Sequence, residues 1–278
     1  EVIVNAYAEK GLDCLNDFNG AFAFAIWDKK EETLFAARDR MGIRPFYYYN
    51  GAEGFFFSSG LRPLLTLPFL KKKIDHTALS EYFQNLYISA PRTIIEGVRK
   101  LEPGSFLTYS KRNRKINVEK YWDIKEHIKN SDPIESENTC IKNLRSLLSD
   151  AVKMRLVSDV DLGVFLSGGV DSSIIALLAN RISGERIKTF SIGFQGMGYY
   201  DESPYAEEVA QLLKTDHRTI QVNPQIEDDL VDIVRHLEEP FGDSSCVPTY
   251  YLSRETKKFV KVALSGSGGD DLFAGYRR

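Results

Sequence analysis

The run Ser167-Gly168-Gly169-Val170-Asp171-Ser172-Ser173 follows directly on the apolar stretch Leu162-Gly163-Val164-Phe165-Leu166. That order spells strand, glycine turn and helix start. Gly168 and Gly169 free the backbone for positive φ and remove two Cβ atoms, so successive N–H groups can converge on an anion. The hydroxyls of Ser167, Ser172 and Ser173 add donors. A helix beginning near Asp171 and running through Ile174, Ile175, Leu177 and Leu178 aims its positive end at the same point. Asp171 would repel a phosphate unless a cation lay between them, and hard oxygen donors beside phosphate oxygens suit Mg²⁺. No Gly-Lys-Ser/Thr follows the glycines, which excludes the Walker A pattern. The chemistry implied is the binding of pyrophosphate by an enzyme that splits ATP between its α and β phosphates. The same residues would also cap an ordinary βα turn, and it is the strand–turn–helix context that favours the phosphate reading.

A second glycine-rich segment, Leu264-Ser265-Gly266-Ser267-Gly268-Gly269-Asp270-Asp271, follows the apolar run Val260-Lys261-Val262-Ala263. Taken alone it also reads as a flexible surface loop with solvated acids. If both runs are strands of one parallel sheet, the two loops face each other across a nucleotide, and Asp270 and Asp171 can share a Mg²⁺ ion.

The elements that must position these loops are legible as an alternation. Strands are expected at 162–167, 188–194, 217–222 and 260–265, and helices at 171–183, 203–214, 225–237 and 247–259, with Ser203 as N-cap and Pro204 in the first turn. Strand–helix alternation implies a parallel sheet with crossover helices, whose ligands sit beyond the carboxyl ends of the strands. The first hundred residues differ in style. Phe22–Trp27, Thr33–Ala37, Pro45–Tyr49 and Gly54–Ser58 are short aromatic and apolar runs split by turns such as Asp28-Lys29-Lys30 and Asn50-Gly51, the pattern of an antiparallel sheet. Residues 108–136 are polar without a sustained period and read as a linker, framed by helices from Asp75 to Tyr87 and from Glu137 to Val157. The expected domains are therefore 1–107 and 137–278.

Composition narrows the rest. The chain has 278 residues, 43% of them hydrophobic, enough for two cores. A net charge of −3 gives no reason to expect nucleic acid or an anionic membrane as partner. No apolar stretch is long enough to span a bilayer. Cys14, Cys140 and Cys246 are scattered, which reads as reduced thiols and a cytoplasmic location. The first residue is not Met and the last ones, Gly275-Tyr276-Arg277-Arg278, follow a glycine loop, so a piece of a longer protein is expected.

In combination these residues resemble the bacterial type of glutamine-dependent asparagine synthetase. The resemblance runs through Ala21-Phe22-Ala23-Phe24, Ala37-Arg38-Asp39-Arg40-Met41-Gly42-Ile43-Arg44-Pro45, Ser167–Ser173, His236-Leu237-Glu238-Glu239-Pro240-Phe241-Gly242-Asp243-Ser244-Ser245 and Asp270-Asp271-Leu272-Phe273-Ala274-Gly275-Tyr276. The first loop also occurs in other ATP pyrophosphatases; the aromatic β region upstream separates this family from them. The resemblance implies an N-terminal-nucleophile-type α+β domain, present as its second half, followed by an α/β ATP pyrophosphatase domain. It further implies small-molecule substrates, with ammonia from glutamine passed to an aspartyl-adenylate. Residue by residue, Leu166 and Ile192 would line the adenine and ribose pocket, and Ser167, Gly168, Gly169, Val170, Asp171, Ser172 and Ser173 would hold pyrophosphate. Ser265 and Gly266 would approach the nucleotide through backbone groups. Glu239, Asp243 and Ser244 would lie near the second substrate, although Glu238 and Glu239 read equally as a charged helix end. ATP and Mg²⁺ are the cofactors implied, with Asp171 and Asp270 as metal ligands, and a homodimer is the expected assembly.

Three departures qualify the resemblance. The class needs a cysteine as residue 1, its own amino group serving as base, and residue 1 is Glu1. Cys14 shares an apolar helical face with Val2, Ala6, Leu12, Leu15 and Phe18 and reads as core packing. Glutamine hydrolysis is therefore not expected of this polypeptide. The helices and lysine that close the family's synthetase site lie beyond Arg278. Finally, the second loop carries Ser267 where the family pattern has an acid, and Asp271 at its second acidic place. Serine has no accessible anionic form near neutral pH, so a proton-accepting carboxylate is replaced at a candidate catalytic position. The expectation is that adenylation survives while the ammonia step slows. A related amidating or cyclising enzyme with another acceptor, or a nucleotide-binding copy without chemistry, stays open on the residues alone.

Overall fold

The computed structural model describes residues 1–129, 136–194, 201–222 and 226–276. It divides into two units, one formed by Glu1–Asp132 with Val234–Asp243, the other by Pro133–Ile233 with Ser244–Arg278.

In the first unit, α1 (Val2–Lys10) ends where Gly11 takes φ 57° and returns its N–H to the Tyr7 carbonyl. A 3₁₀ turn (Gly11–Asp17) then buries Cys14 and Leu15. Cys14 is core packing as expected, but Val2 and Leu12 are exposed, because the helix breaks at Gly11 and its face does not continue. Next come β1 (Ala23–Asp28), β2 (Thr33–Arg38), β3 (Tyr47–Gly51), β4 (Gly54–Ser58), α2 (Leu61–Leu64), α3 (His76–Asn85), β5 (Val98–Lys100), β6 (Ser105–Ser110), β7 (Ile116–Lys120) and α4 (Ile124–Lys129). Two antiparallel sheets result, ordered β1-β2-β6-β7 and β4-β3-β5. Strand β2 is buried on both faces. Phe35 and Ala37 point into a cluster with Cys14, Leu15 and Phe106, whereas Ala36 joins Phe46, Tyr48, Leu101 and Leu107, the two-residue period of a strand.

Two expectations for this unit are corrected. The β3–β4 hairpin pairs Asn50 with Phe55 and Gly51 with Gly54, so Ala52 and Glu53 make the turn and Asn50-Gly51 belongs to the strand. The stretch read as a linker from 108 to 136 contains the end of β6, all of β7 and α4. Its polarity is that of an edge strand with four exposed residues of five, which composition alone cannot separate from a linker. Residues 130–135 lie outside the described residues.

The second unit opens with α5 (Glu137–Arg155), capped by Ser136, whose hydroxyl accepts from the Thr139 N–H. The alternation follows: β8 (Leu162–Phe165), α6 (Val170–Ser183), β9 (Lys188–Phe194), α7 (Ser203–Leu213), β10 (Asp216–Val222), α8 (Ile226–Leu237), α9 (Cys246–Thr256), β11 (Val262–Leu264) and α10 (Gly269–Phe273). All strand pairs are parallel, in the order β10-β9-β8-β11. Small residues on two helices, Ala176 and Ala179 of α6 and Ala206 and Ala210 of α7, pack with Val164, Leu166 and Ile187. Glu202 rather than Ser203 is the N-cap of α7, and Ser203 starts the helix with its N–H on Asp201. Strand β11 is shorter than the expected 260–265, and a short helix, α10, follows the second glycine-rich loop. Position 225 lies outside the described residues.

Candidate functional site

The strand order itself locates a crevice. From β8 the chain steps to β9 and then β10 on one side, and returns to place β11 on the other side of β8. The reversal falls between β8 and β11, and a crevice beyond the carboxyl ends of neighbouring strands at such a switch point is where α/β sheets bind ligands. Both glycine-rich segments leave the sheet there.

The first loop is held by its own hydroxyls. The Ser167 N–H donates to Ser172 Oγ (3.2 Å), the two seryl oxygens lie 2.9 Å apart, the Gly169 N–H donates to Ser167 Oγ (3.3 Å), and Ser172 Oγ donates to the Gly169 carbonyl (3.2 Å). Only Gly168 takes positive φ, at 81°, while Gly169 sits at −70° as the N-cap of α6. Gly168 is also a close approach: a Cβ there would lie 2.7 Å from the Tyr205 carbonyl carbon and 2.8 Å from the Ala206 nitrogen. Ser173 Oγ is buried without a protein partner, and a buried hydroxyl without a bond calls for a ligand, water or ion.

The second loop closes on the first. A Cβ on Gly266 would stand 2.7 Å from the Ser172 nitrogen and 3.1 Å from Asp171 Cβ, and one on Gly269 would overlap the Asp171 carboxylate. The absence of these two side chains lets the loops meet at the start of α6. Asp270 follows Gly269 directly and lies against Gly275, whose N–H donates to the Asp270 carbonyl (3.0 Å). Asp171 and Asp270 are thus carried by segments in contact, a donor set of two hard carboxylates that suits Mg²⁺ once phosphate oxygens complete it. Among the described residues no group of three or more His, Cys, Asp or Glu side chains could hold a metal ion on its own. Ser267 is exposed, with its N–H on Ser265 Oγ (3.3 Å), and Ser265 is exposed beside it.

The remaining candidates divide. The Leu166 side chain is 1% exposed and part of the core, so it can offer a ligand only its backbone, and its N–H is already donated to the Phe190 carbonyl. Ile192 is half-buried near the carboxyl end of β9, and Val170 is exposed at the start of α6. Ser244 is exposed just before α9 and its carbonyl accepts the Val247 N–H (3.2 Å). Glu239 and Asp243 belong to the first unit. There Glu239 is engaged at both oxygens: Oε1 accepts from the Ile94 N–H (3.1 Å), and Oε2 from Lys100 Nζ (2.9 Å) and the Tyr47 hydroxyl (3.2 Å). Burial and the nearby Glu239 carboxylate push the Tyr47 hydroxyl far above the ordinary phenol value. Sequence reasoning missed Lys100 and Tyr47 because they lie 139 and 192 positions from their partner. The sequence pattern assigns Gly269 no role of its own, and its close approach to Asp171 supplies one.

Comparison with known proteins also divides the chain in two, but counts Val234–Asp243 with the second part. The sequence pattern of the glutamine amidotransferase domain matches residues 1–122, and that of asparagine synthase matches residues 143–278. A relative from Methanocaldococcus jannaschii is 40% identical over 99% of this chain and 53% of its own length. Asparagine synthetase [glutamine-hydrolyzing] 3 of Bacillus subtilis is 36% identical over 99% of this chain and 46% of its own length, and the amidase chyE of Penicillium rubens is 28% identical over 99% and 43%. The chain spans about half the length of these relatives. Residues 1–122 thus match the glutamine amidotransferase domain and residues 143–278 asparagine synthase, and in that order the chain is similar along nearly its whole length to the glutamine-hydrolysing asparagine synthetases.

Proposed function

We propose that the protein makes asparagine from aspartate with ATP, and that the crevice between β8 and β11 is where aspartate is adenylated. The observation that carries this reading is the meeting of the two glycine loops, with Gly266 and Gly269 against Asp171 at the N-terminus of α6. In this reading the backbone and hydroxyls from Ser167 to Ser173 hold the β and γ phosphates, Ser265 and Gly266 approach the nucleotide, Leu166 and Ile192 border the adenosine, and Asp171 and Asp270 hold Mg²⁺. The side-chain carboxylate of aspartate attacks the α-phosphorus, the bond to the β-phosphate oxygen breaks, and pyrophosphate leaves. Ammonia then attacks the acyl carbon of the mixed anhydride, AMP leaves, and a proton is lost from nitrogen. The antiparallel region fits the second half of an N-terminal-nucleophile-type glutaminase, and the parallel sheet an ATP pyrophosphatase domain. Among the described residues no helix is long and apolar enough to cross a membrane; small-molecule substrates, a cytoplasmic setting and a homodimer are part of the same reading.

Ser267 supports a refinement. No carboxylate stands at that place of the loop to take the ammonia proton, so adenylation outruns amide formation. The test is aspartate-dependent exchange of labelled pyrophosphate into ATP with Mg²⁺, with asparagine formation from ammonia followed in parallel. Exchange with slow asparagine formation is expected. No exchange by a folded protein that binds ATP would overturn aspartate as the acceptor.

A further inference from the structure

A groove of about 870 Å³ lies between α7 and β10 of the second unit. It is separate from the crevice, because Arg186, Thr215 and Asp216 on its wall stand at or just before the amino ends of β9 and β10, whereas the glycine loops leave the carboxyl ends of β8 and β11. Its α7 wall is one stripe, Glu207, Gln211 and, one step past the helix end, Lys214, at the spacing that shares a helix face. The helical rise sets Glu207 and Lys214 about 10 Å apart along the axis. The two ends of the groove differ in sign. At one end Lys214 is joined by Arg186, whose Nε and Nη2 donate to the Lys214 and Thr215 carbonyls (2.9 and 3.2 Å), so the guanidinium is held in place while Nη1 is unused. Asp216 also lies at this end, which the two cations leave net positive. At the other end Glu207 Oε1 accepts from the Thr219 hydroxyl (2.8 Å). Among the described residues none of these four charged side chains forms an ion pair, so their charges are available to a complementary ligand. Strand β10 is the edge of its sheet and pairs only with β9, which leaves the backbone donors and acceptors of its outer side without a strand partner.

We propose that this groove binds a short peptide with free ends, its carboxylate on Arg186 and Lys214, its ammonium on Glu207, and its amides on Gln211 and the outer edge of β10. An extended chain gains about 3.3–3.6 Å per residue, so a span of about 10 Å takes three residues. A single amino acid is too short to reach both ends. The site takes no part in the proposed ATP chemistry and does not depend on that reading.

Titration of the 278-residue chain with glycine, diglycine, triglycine and tetraglycine, followed through the NMR shifts of its backbone amides, tests the proposal. Triglycine is expected to bind most tightly and to move the resonances of residues 207–219, leaving those of 167–173 in place. Blocking either end, as N-acetyl-triglycine or triglycine amide, weakens binding by about two- to fivefold, and Lys214→Met and Glu207→Gln each do the same to free triglycine, the worth of an exposed ion pair. N-acetyl-triglycine, having no ammonium, is indifferent to Glu207→Gln. The blocked peptides need no variant, so the test stands even if a substitution unfolds the chain. Absence of shifts in 207–219 at millimolar triglycine overturns the proposal. So does binding that ignores the blocked ends, or that rises evenly from glycine to tetraglycine, which would mean unspecific pairing along β10.

Discussion

Two polar clusters, one around β2 of the first unit and one at the crevice of the second, are built in different ways. Around β2 of the first unit, charge is consumed in construction. Asp39 is 1% exposed and accepts the N–H groups of Phe22 (3.2 Å), Ile43 (2.9 Å) and Arg44 (2.9 Å), while Arg38 donates to the carbonyls of Arg44, Gly42 and Leu101 at 2.7–2.8 Å. Together they fix the course of residues 38–45. At the crevice of the second unit the loops are built by glycine contacts and seryl hydroxyls, and Ser173 Oγ stays without a protein partner. Spare bonding capacity alone does not mark a site, since Arg40 Nε beside Asp39 is also buried without a hydrogen-bond partner; at the crevice it coincides with two glycine loops in contact.

That contrast is broken most sharply at its two poles. Replacing Asp39 by Ala removes the buried acceptor of three part-buried backbone donors, each bond being worth about 0.5–1.5 kcal/mol, so a loss of ~2–4 kcal/mol is expected in urea unfolding of the first unit. A loss under about 1 kcal/mol would mean the loop does not depend on that carboxylate. Ser267→Asp acts on the other pole. It should leave stability unchanged while raising asparagine formation from ammonia by about 10²–10⁴-fold, the usual worth of a general base, with pyrophosphate exchange little altered. An equal rise in both rates would place the serine's effect before the anhydride forms. A smaller effect is expected of Gly269→Ala, whose Cβ would overlap the Asp171 carboxylate and force the loops apart. Overpacking of that kind costs about 1–3 kcal/mol, read as roughly ten- to hundredfold weaker ATP binding. Gly184→Ala is its control, because a Cβ at 184 meets nothing within 4 Å and only the positive φ is strained.

Much of the crevice was legible because its determinants are local. A strand, two glycines and a helix start within a dozen residues state their own geometry, and the alternation after residue 161 implies the parallel sheet. What local pattern could not show was pairing at a distance. Residues 116–120 are as polar as a linker, and only their hydrogen bonds to β6 make them a strand. Glu239 looks like an acid at a helix end until Lys100 and Tyr47 arrive from residues far earlier in the chain. Asn50-Gly51 carries a strong turn signal, yet the register with β4 carries both residues into the strand, since the cross-strand pairs of Tyr47, Tyr48 and Tyr49 with Ser58, Phe57 and Phe56 outweigh it.

His217 carries the saturation argument into the second unit, away from the crevice. Its Nδ1 lies 2.9 Å from Thr189 Oγ1 and its Nε2 3.2 Å from Ser191 Oγ, while Thr219, 3.4 Å from Nε2, donates to Glu207 (2.8 Å). Thr189 is buried and also bonds Thr215 (2.8 Å). Burial pushes this imidazole below its ordinary value of 6.5, against the smaller opposing pull of Glu207. In the pH window between the folded value and 6.5 the unfolded chain therefore binds more protons than the folded one, and stability rises with pH. The neutral ring's contribution is complete above 6.5 and is lost as pH falls from there through the folded value. Melting temperatures measured from pH 8 down to pH 5 should decline more steeply for the unsubstituted protein than for His217→Asn, which keeps hydrogen-bonding groups without the titration. Parallel declines would show that the hydroxyls around the ring accommodate the imidazolium as readily as water does, and that saturation there carries no penalty for charge.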